Sequence, residues 1–244
     1  MDVASPLAWV LLGAVAFCAA TLAAVSGFGG AALLLPVVAA VFGVRDAVPI
    51  LTVAQLIGNG SRVWFNRREL DRHVVGWFAV GAVPLALLGG VLFALAPLHA
   101  LTRTLGVFLI LIVVWRRLRP QPSRAYPVQR FAWIGAGSSL LSALLGSVGP
   151  LVAPFFLAYG LVKGAYIGTE ACCAVVMHLC KLIAYRQMDV LTGQSTLIGL
   201  ALGPVMIAGS YAGQHIVNRL PKSVFVLIVE LAMLAAGLLF VIRG

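Results

Sequence analysis

Charged residues are scarce in this 244-residue chain: they make up 10% of it, and only 7 residues are acidic. A water-soluble domain carries roughly a quarter charged residues. No charge at all occurs between Val3 and Arg45. Together with a hydrophobic fraction of 62%, this shortage excludes an ordinary soluble domain. It predicts an all-α polytopic membrane protein.

Cysteine is sparse as well, and its spacing does not suit a metal site or a disulfide framework. The four cysteines lie in apolar segments and form no C-x-x-C pair: Cys18, Cys172, Cys173 and Cys180. Neither a disulfide framework nor a zinc site is therefore expected. Because the chain also lacks a nucleotide-binding motif, we expect no cofactor, no bound metal and no enzymatic activity.

Basic residues outnumber acidic ones and give a formal net charge of +10. They cluster beside apolar stretches, at Arg67–Arg72 and in the linker Arg116–Arg130. Clusters of this kind mark the cytoplasmic side of membrane spans. We therefore expect the protein to lie in a lipid bilayer and not to bind nucleic acid. We also expect the linker 116–130 to be cytoplasmic.

Glycine, proline and charged positions divide the apolar sequence into segments, which predict eight to ten helices in two halves, residues 1–115 and 131–244. The first half contains Pro6–Ala24, Ala31–Phe42, Ala47–Phe65, Val74–Leu95 and Ala100–Trp115. The second half contains Phe131–Leu145, Leu151–Tyr159, Ala165–Tyr185, Gln194–Val217 and Ser223–Ile242. The second segment of each half is short, since spanning a bilayer takes about 20 residues.

The two halves match in order, which predicts an internal repeat. An offset of 119 residues places Gly27 and Gly30 on Gly146 and Gly149, and an offset of 118 places Pro36, Arg68 and Asp71 on Pro154, Arg186 and Asp189. If every segment crosses, each half has five spans and the halves are inverted. If the short segments are re-entrant, the repeats are parallel. The distribution of basic residues favours inversion.

Glycine-rich breaks interrupt the apolar sequence at Ser26–Pro36 and at Leu145–Pro154. Irregular backbone at membrane depth is tolerated only where it faces protein or a water-filled cavity. Paired broken helices of this kind point to the binding site of a transporter. We therefore expect the breaks to contact substrate through Gly27, Gly29, Gly30, Gly149 and Pro150.

Polar side chains form a stripe on the helix after each break. The first stripe is Thr52, Gln55, Asn59, Arg62 and Asn66, and the second is Glu170, Cys173, His178 and Lys181. Polar groups in a span normally face the interior of the bundle or a pathway. We therefore expect Gln55, Asn59, Arg62, Cys173 and Lys181 to bind a small anionic substrate. Snorkelling from a helix end explains Arg62 and Lys181 equally well.

Glu170 and His178 have the chemistry of a proton carrier, because an imidazole titrates near neutral pH. We expect these two residues to couple transport to protons. The alternative for Glu170 is a purely structural pairing with a basic residue. For Glu230, in the middle of the last segment, we expect structural pairing with Arg or Lys of another helix.

The sequence resembles the TauE/SafE family of membrane anion transporters over nearly its whole length. The resemblance rests on Gly27-Phe28-Gly29-Gly30 with Pro36, on Asn59, and on Gly149-Pro150 with Pro154. It implies transport of sulfite, organosulfonates or related sulfur-containing anions across a bacterial inner membrane. It also implies about eight spans in two related halves. We therefore expect a secondary transporter, an exporter by direction, that works by alternating access around the breaks.

Two other functions fit parts of the sequence. A membrane-embedded redox or assembly protein would use Cys172, Cys173, Cys180 and His178, and would lose function when its cysteines become serine. An anion channel would need a continuous polar pore, and its flux would not saturate. The chain is compatible with a homo-oligomer. The sequence leaves open the transported anion, the direction of transport, the coupling ion, the oligomeric state and whether the short segments span the membrane or are re-entrant.

Overall fold

The computed structural model describes residues 6–27, 30–118 and 127–216, with isolated helical residues at 231, 234, 238, 241 and 242. Within these residues there are nine α-helices and no strand. They are α1 Pro6–Ser26, α2 Gly30–Phe42, α3 Val44–Phe65, α4 Arg72–Leu95, α5 Leu98–Leu118, α6 Arg130–Leu145, α7 Gly149–Tyr159, α8 Lys163–Gln187 and α9 Gly193–Ile216. The all-α prediction is confirmed.

Four of the described helices are long and apolar enough to cross a bilayer, over Ala8–Ser26, Arg72–Leu95, Lys163–Gln187 and Gly193–His215. Large apolar side chains also point outward, for example Val80 and Leu95 on α4, which are 63% and 69% exposed. Such a surface is suited to lipid rather than water. The protein is therefore a helical membrane protein.

The short helices α2 and α7 have 13 and 11 residues. At about 1.5 Å per residue they measure roughly 20 and 16 Å. The hydrocarbon core is about 30 Å thick, so neither helix crosses it alone. Each follows the preceding helix, α1 or α6, after a break in the backbone.

The halves are interleaved in the packing. Helix α1 packs on α9, while α6 packs on α4, and α3 and α8 contact each other in the middle. Glycines allow the backbones to approach closely: a Cβ added to Gly135 of α6 would lie 2.2 Å from the Phe78 carbonyl oxygen of α4. Small residues at such crossings are typical of helices packed in membranes.

Both ends of α4 are satisfied by side chains of the protein itself. Asp71 caps α4 by accepting hydrogen bonds from the backbone N–H groups of His73 and Val74 at 3.0 and 3.1 Å. At the other end of α4, the Arg45 guanidinium donates to the Ala94 carbonyl at 2.7 Å. Cations stabilise helix C-termini in this way, and the contact ties the α2–α3 turn to α4.

Several predicted features lie outside the described residues: Phe28 and Gly29 in the first break, most of the basic linker, Glu230, and most of the last segment Ser223–Ile242. For Pro150 the backbone is helical, but its side chain is not described. The remaining predicted segments correspond to the nine helices with end points that differ by a few residues.

Candidate functional site

Both breaks begin with a glycine in the left-handed backbone region. Gly27 has φ 76° and Gly146 has φ 80°. The N–H of Gly27 donates to the Ala23 carbonyl at 2.9 Å, and that of Gly146 to the Ser142 carbonyl at 2.8 Å. Glycine ends helices in this manner because it adopts positive φ without steric cost. The two breaks thus begin with the same kind of left-handed glycine.

Both breaks line one cavity of about 50 Å³, which is enclosed by α1, α2, α3, α4, α6, α7 and α8. Its polar and glycine lining is Gly27, Gly30, Gln55, Asn59, Arg62, Ser138, Ser142, Gly146, Ser147, Gly149, Glu170, Cys173 and His178. Apolar side chains, among them Phe78 and Phe156, complete the wall. The backbone N–H ends of α2 and α7 therefore open onto the same space as the polar stripes.

Arg62 is the cation of this cavity and is only 5% exposed. Its Nη1 donates to the Ala23 carbonyl at 3.1 Å and reaches the Gly27 carbonyl at 3.4 Å. These carbonyls belong to the end of α1, where a positive charge is favourable. Its Nη2 contacts Oδ1 of Asn59, one turn earlier on α3. The guanidinium is thus held in a fixed orientation at the first break.

Glu170 faces Arg62 across the cavity. Its Oε2 lies 3.4 Å from Arg62 Nη1, and both side chains are buried. The pair joins α3 of the first half to α8 of the second. A buried ion pair of this kind costs considerable desolvation and is strongly destabilised when one partner is removed. The pair lines a polar cavity, and any anion in that cavity would approach the same guanidinium. Such an anion would compete with the Glu170 carboxylate for Arg62.

Two polar atoms of the cavity wall lack a hydrogen-bond partner within the described part of the chain. They are Nε2 of Gln55 and Nδ1 of His178, and both side chains are at least nine-tenths buried. Buried polar groups are normally hydrogen-bonded. Both nitrogens can donate, so the cavity holds free donors beside a cation, which is the donor set that an oxyanion needs.

A family model described as "Sulfite exporter TauE/SafE" matches residues 12–240. The chain belongs to this family. The match confirms the resemblance drawn from the breaks, and the family consists of transporters rather than enzymes. At family level it supports a membrane exporter of sulfite or a related anion. No curated protein sequence and no solved structure matches the chain.

In this TauE/SafE protein the cavity contains nine of the twelve residues predicted for binding or coupling: Gly27, Gly30, Gln55, Asn59, Arg62, Gly149, Glu170, Cys173 and His178. Gly29 and the side chain of Pro150 lie outside what is described. Of the first stripe, Thr52 bonds within α3 and Asn66 caps its end, so these two do not line the cavity. Substrate contact by the nine stays a prediction.

Lys181 is the predicted residue that the structure places elsewhere. It does not line the cavity, and its Nζ donates to Oγ of Ser142 at 3.2 Å from behind the cavity wall. Its side chain is 0% exposed. Snorkelling is therefore wrong for both Lys181 and Arg62, because neither side chain reaches the surface.

The serines of the TauE/SafE cavity, Ser138, Ser142 and Ser147, were not predicted from the sequence. Ser138 and Ser142 lie four residues apart in an otherwise apolar helix, and this spacing places them on one face. That periodicity was available in the sequence, but single hydroxyls are common in spans and carry a weaker signal than charges or amides. The described cysteines are all free thiols, and the described residues contain no cluster able to hold a metal ion.

Proposed function

We propose that this protein is a secondary transporter that exports sulfite, or a similarly small oxyanion of sulfur, across the bacterial inner membrane. The observation that carries the proposal is the convergence of both helix breaks on a cavity with Arg62 as its cation. Guanidinium groups bind oxyanions in bidentate geometry. Asn59, Gln55 and the helix starts at Gly30 and Gly149 add donors around the same space.

The size of the cavity supports a small substrate. One water molecule needs roughly 10–15 Å³ of such space, so about 50 Å³ accommodates a few groups of that size. Sulfite has four non-hydrogen atoms, whereas taurine-type sulfonates have an additional amino-alkyl chain. We therefore place sulfite ahead of the organosulfonates in the expected order of affinity.

Alternating access around the breaks would follow from the way the cavity is built. The first half supplies Gly27, Gly30 and the first stripe, and the second half supplies Gly149 and the second stripe. Movement of one half against the other would open this shared wall toward one side or the other. The exchange of packing partners between α1–α9 and α6–α4 supports two related halves, in inverted orientation with linker 116–130 in the cytoplasm.

The Arg62–Glu170 pair provides a route for coupling to protons. An anion that binds Arg62 competes with the Glu170 carboxylate, 3.4 Å away. A carboxylate that loses its partner in a buried site favours its protonated form. Anion binding would thereby be linked to proton binding at Glu170, with His178 in the same cavity as the neighbouring proton carrier.

The decisive experiment is transport by the purified protein in proteoliposomes. We expect saturable flux of radiolabelled sulfite that exceeds the flux of thiosulfate and taurine-derived sulfonates and that changes with an imposed pH gradient. Empty liposomes, and liposomes with the Arg62→Gln variant, serve as controls. Absence of anion flux above empty vesicles under all conditions would exclude transport as the function.

Kinetics in the same vesicles separate a transporter from a channel. A transporter shows saturation and counterflow, in which unlabelled sulfite inside accelerates uptake of labelled sulfite. A flux that rises linearly with concentration and is insensitive to a pH gradient would favour the channel instead.

A further inference from the structure

The contact between Arg62 and the first break has an equivalent in the second half. Arg62 donates to the Ala23 carbonyl, which lies four residues before the left-handed Gly27. A shift of 119 residues, the offset that relates the two breaks, converts Arg62 to Lys181 and Ala23 to Ser142.

The structure contains this second contact. Lys181 Nζ donates to Ser142 Oγ at 3.2 Å, and Ser142 lies four residues before the left-handed Gly146. Each half therefore places one cation beside the last turn of its own broken helix. Because a single offset relates the glycines, the contacted residues and the cations, Lys181 corresponds structurally to Arg62.

The two cations differ in what neutralises them. Arg62 has the Glu170 carboxylate at 3.4 Å, whereas within the described residues Lys181 has no carboxylate at ion-pair distance, and Ser142 is its one recorded hydrogen-bond partner. Its side chain is fully buried. A buried cation is costly unless an anion is paired with it. No described residue supplies such an anion to Lys181.

His178 is near both cations. It is three residues before Lys181 on α8, which places both on one side of the helix, and it is close enough to interact electrostatically with both Lys181 and Arg62. Its ring lines the cavity, and no described residue forms a hydrogen bond with its Nδ1. Ser142 also lines the cavity while its hydroxyl contacts Lys181. These two residues connect the Arg62 cavity with Lys181.

We propose that Lys181, with Ser142 and His178, forms a second position for the transported anion, separate from the Arg62 position. The anion occupies it when the protein switches from one access state to the other. This inference rests on the proposed function and adds a two-position path to it. The anion leaves the guanidinium of the first half and is taken up by the ammonium of the second, with His178 and the Ser142 hydroxyl as donors between them.

The test compares equilibrium binding with transport in the same set of variants. Sulfite binding to purified protein is measured by titration calorimetry, and sulfite flux is measured in proteoliposomes. Lys181→Met keeps a long unbranched side chain, one atom shorter, and removes its charge. Lys181→Arg keeps the charge, and Ser142→Ala removes only the hydroxyl. Ser139→Ala is the matched control, because Ser139 is an equally buried serine of the same helix that does not line the cavity.

We expect Lys181→Met to bind sulfite within about threefold of the unmodified protein, since the Arg62 position is intact, and to transport it at least tenfold more slowly. Lys181→Arg recovers most of the flux, Ser142→Ala loses several-fold of it, and Ser139→Ala loses none. If Lys181→Met does not fold, the contrast between Ser142→Ala and Ser139→Ala decides.

Two results would overturn the proposal. Flux within twofold of normal in Lys181→Met or, failing that variant, in Ser142→Ala would show that no second position is needed. Loss of binding in proportion to loss of flux would place Lys181 in a single site together with Arg62. If the unmodified protein neither binds nor transports sulfite, the proposed function itself fails, and this outcome is distinct from both.

Discussion

The two helix breaks begin with the same kind of left-handed glycine and differ in what surrounds it. Gly27 and Gly146 both adopt left-handed φ, but an added Cβ at Gly27 would lie 2.2 Å from the Tyr166 ring, while one at Gly146 would lie 3.2 Å from its nearest neighbour, Leu35. The cation beside the first break is in the cavity and paired, and the cation beside the second is behind the wall. Two helix breaks that begin with the same backbone turn can thus have different chemistry around them.

The largest expected effect is at Arg62. Replacement by glutamine removes the charge that we assign to anion binding, and we expect sulfite flux to fall at least about 100-fold, since truncating a buried charge partner costs about 2–5 kcal/mol. The variant also leaves Glu170 buried without its cation, which destabilises the fold by about 3–5 kcal/mol. Flux in proteoliposomes and thermal unfolding in detergent measure the two effects.

A double variant separates them. In Arg62→Gln/Glu170→Gln no charge is left unpaired at this position, so we expect stability to recover while transport stays lost. Recovery of transport together with stability would mean that Arg62 acts only as the structural partner of Glu170. Lys181 would then be the better candidate for the primary anion contact.

The next effect in size contrasts the two glycines. Alanine at either position meets the cost of left-handed backbone, about 1–2 kcal/mol, but at Gly27 it also collides with the Tyr166 ring. Overpacking typically adds about 1–3 kcal/mol. We expect Gly27→Ala to lower the thermal midpoint by several degrees more than Gly146→Ala does.

Removal of the Tyr166 ring provides the control for this contrast. In a double-mutant cycle, Tyr166→Ala should offset part of the cost of Gly27→Ala and should be additive with Gly146→Ala. Equal thermal midpoints for the two glycine variants, or equal coupling of both to Tyr166, would contradict the inference that the two breaks are packed differently.

Sequence patterns were sufficient for the fold and for the position of the breaks. Hydropathy and glycine or proline positions determine where a helix in lipid starts and stops, because there is no water to satisfy an interrupted backbone. The predicted segment Phe131–Leu145, for example, differs from α6 by one residue. The cavity could be anticipated because polar stripes must face the interior.

The rotation of individual helices was beyond the sequence. Helical periodicity puts Lys181 on the polar face of α8, but whether that part of the face opens onto the cavity depends on how α6 packs against it. Similarly, the 118-residue offset matches Asp71 with Asp189, but these two residues have different roles in the structure. Asp71 caps α4, whereas α9 begins after Thr192, whose hydroxyl accepts from the Ser195 N–H at 3.0 Å. Charge at matching positions is a weaker guide to equivalence than contacts.

A moderate effect on sulfite flux is expected when one residue of each stripe is replaced, Asn59 in the first and Cys173 in the second. The Asn59 side chain contacts the Arg62 guanidinium, whereas Cys173 lines the cavity as a buried free thiol. Asn59→Ala should reduce sulfite flux about tenfold, since charge-assisted contacts that orient a charged group contribute about 1.5–3 kcal/mol. Cys173→Ala should reduce it by about threefold or less. If both variants insert correctly and transport sulfite at the normal rate, the polar stripes are not part of the anion site.

The smallest expected effect tests the redox alternative, which would assign function to the thiols of the second half. Cys172 is half-buried, Cys180 is buried, and neither lines the cavity. Cys18 is exposed on α1 and also lies away from the cavity. Since none of the three lines the cavity, replacing all of them by alanine should leave sulfite flux within about twofold, as expected for small apolar packing positions. A loss of flux as large as that of Asn59→Ala, in a variant that inserts and unfolds normally, would instead make thiol chemistry the distinguishing property of the second half.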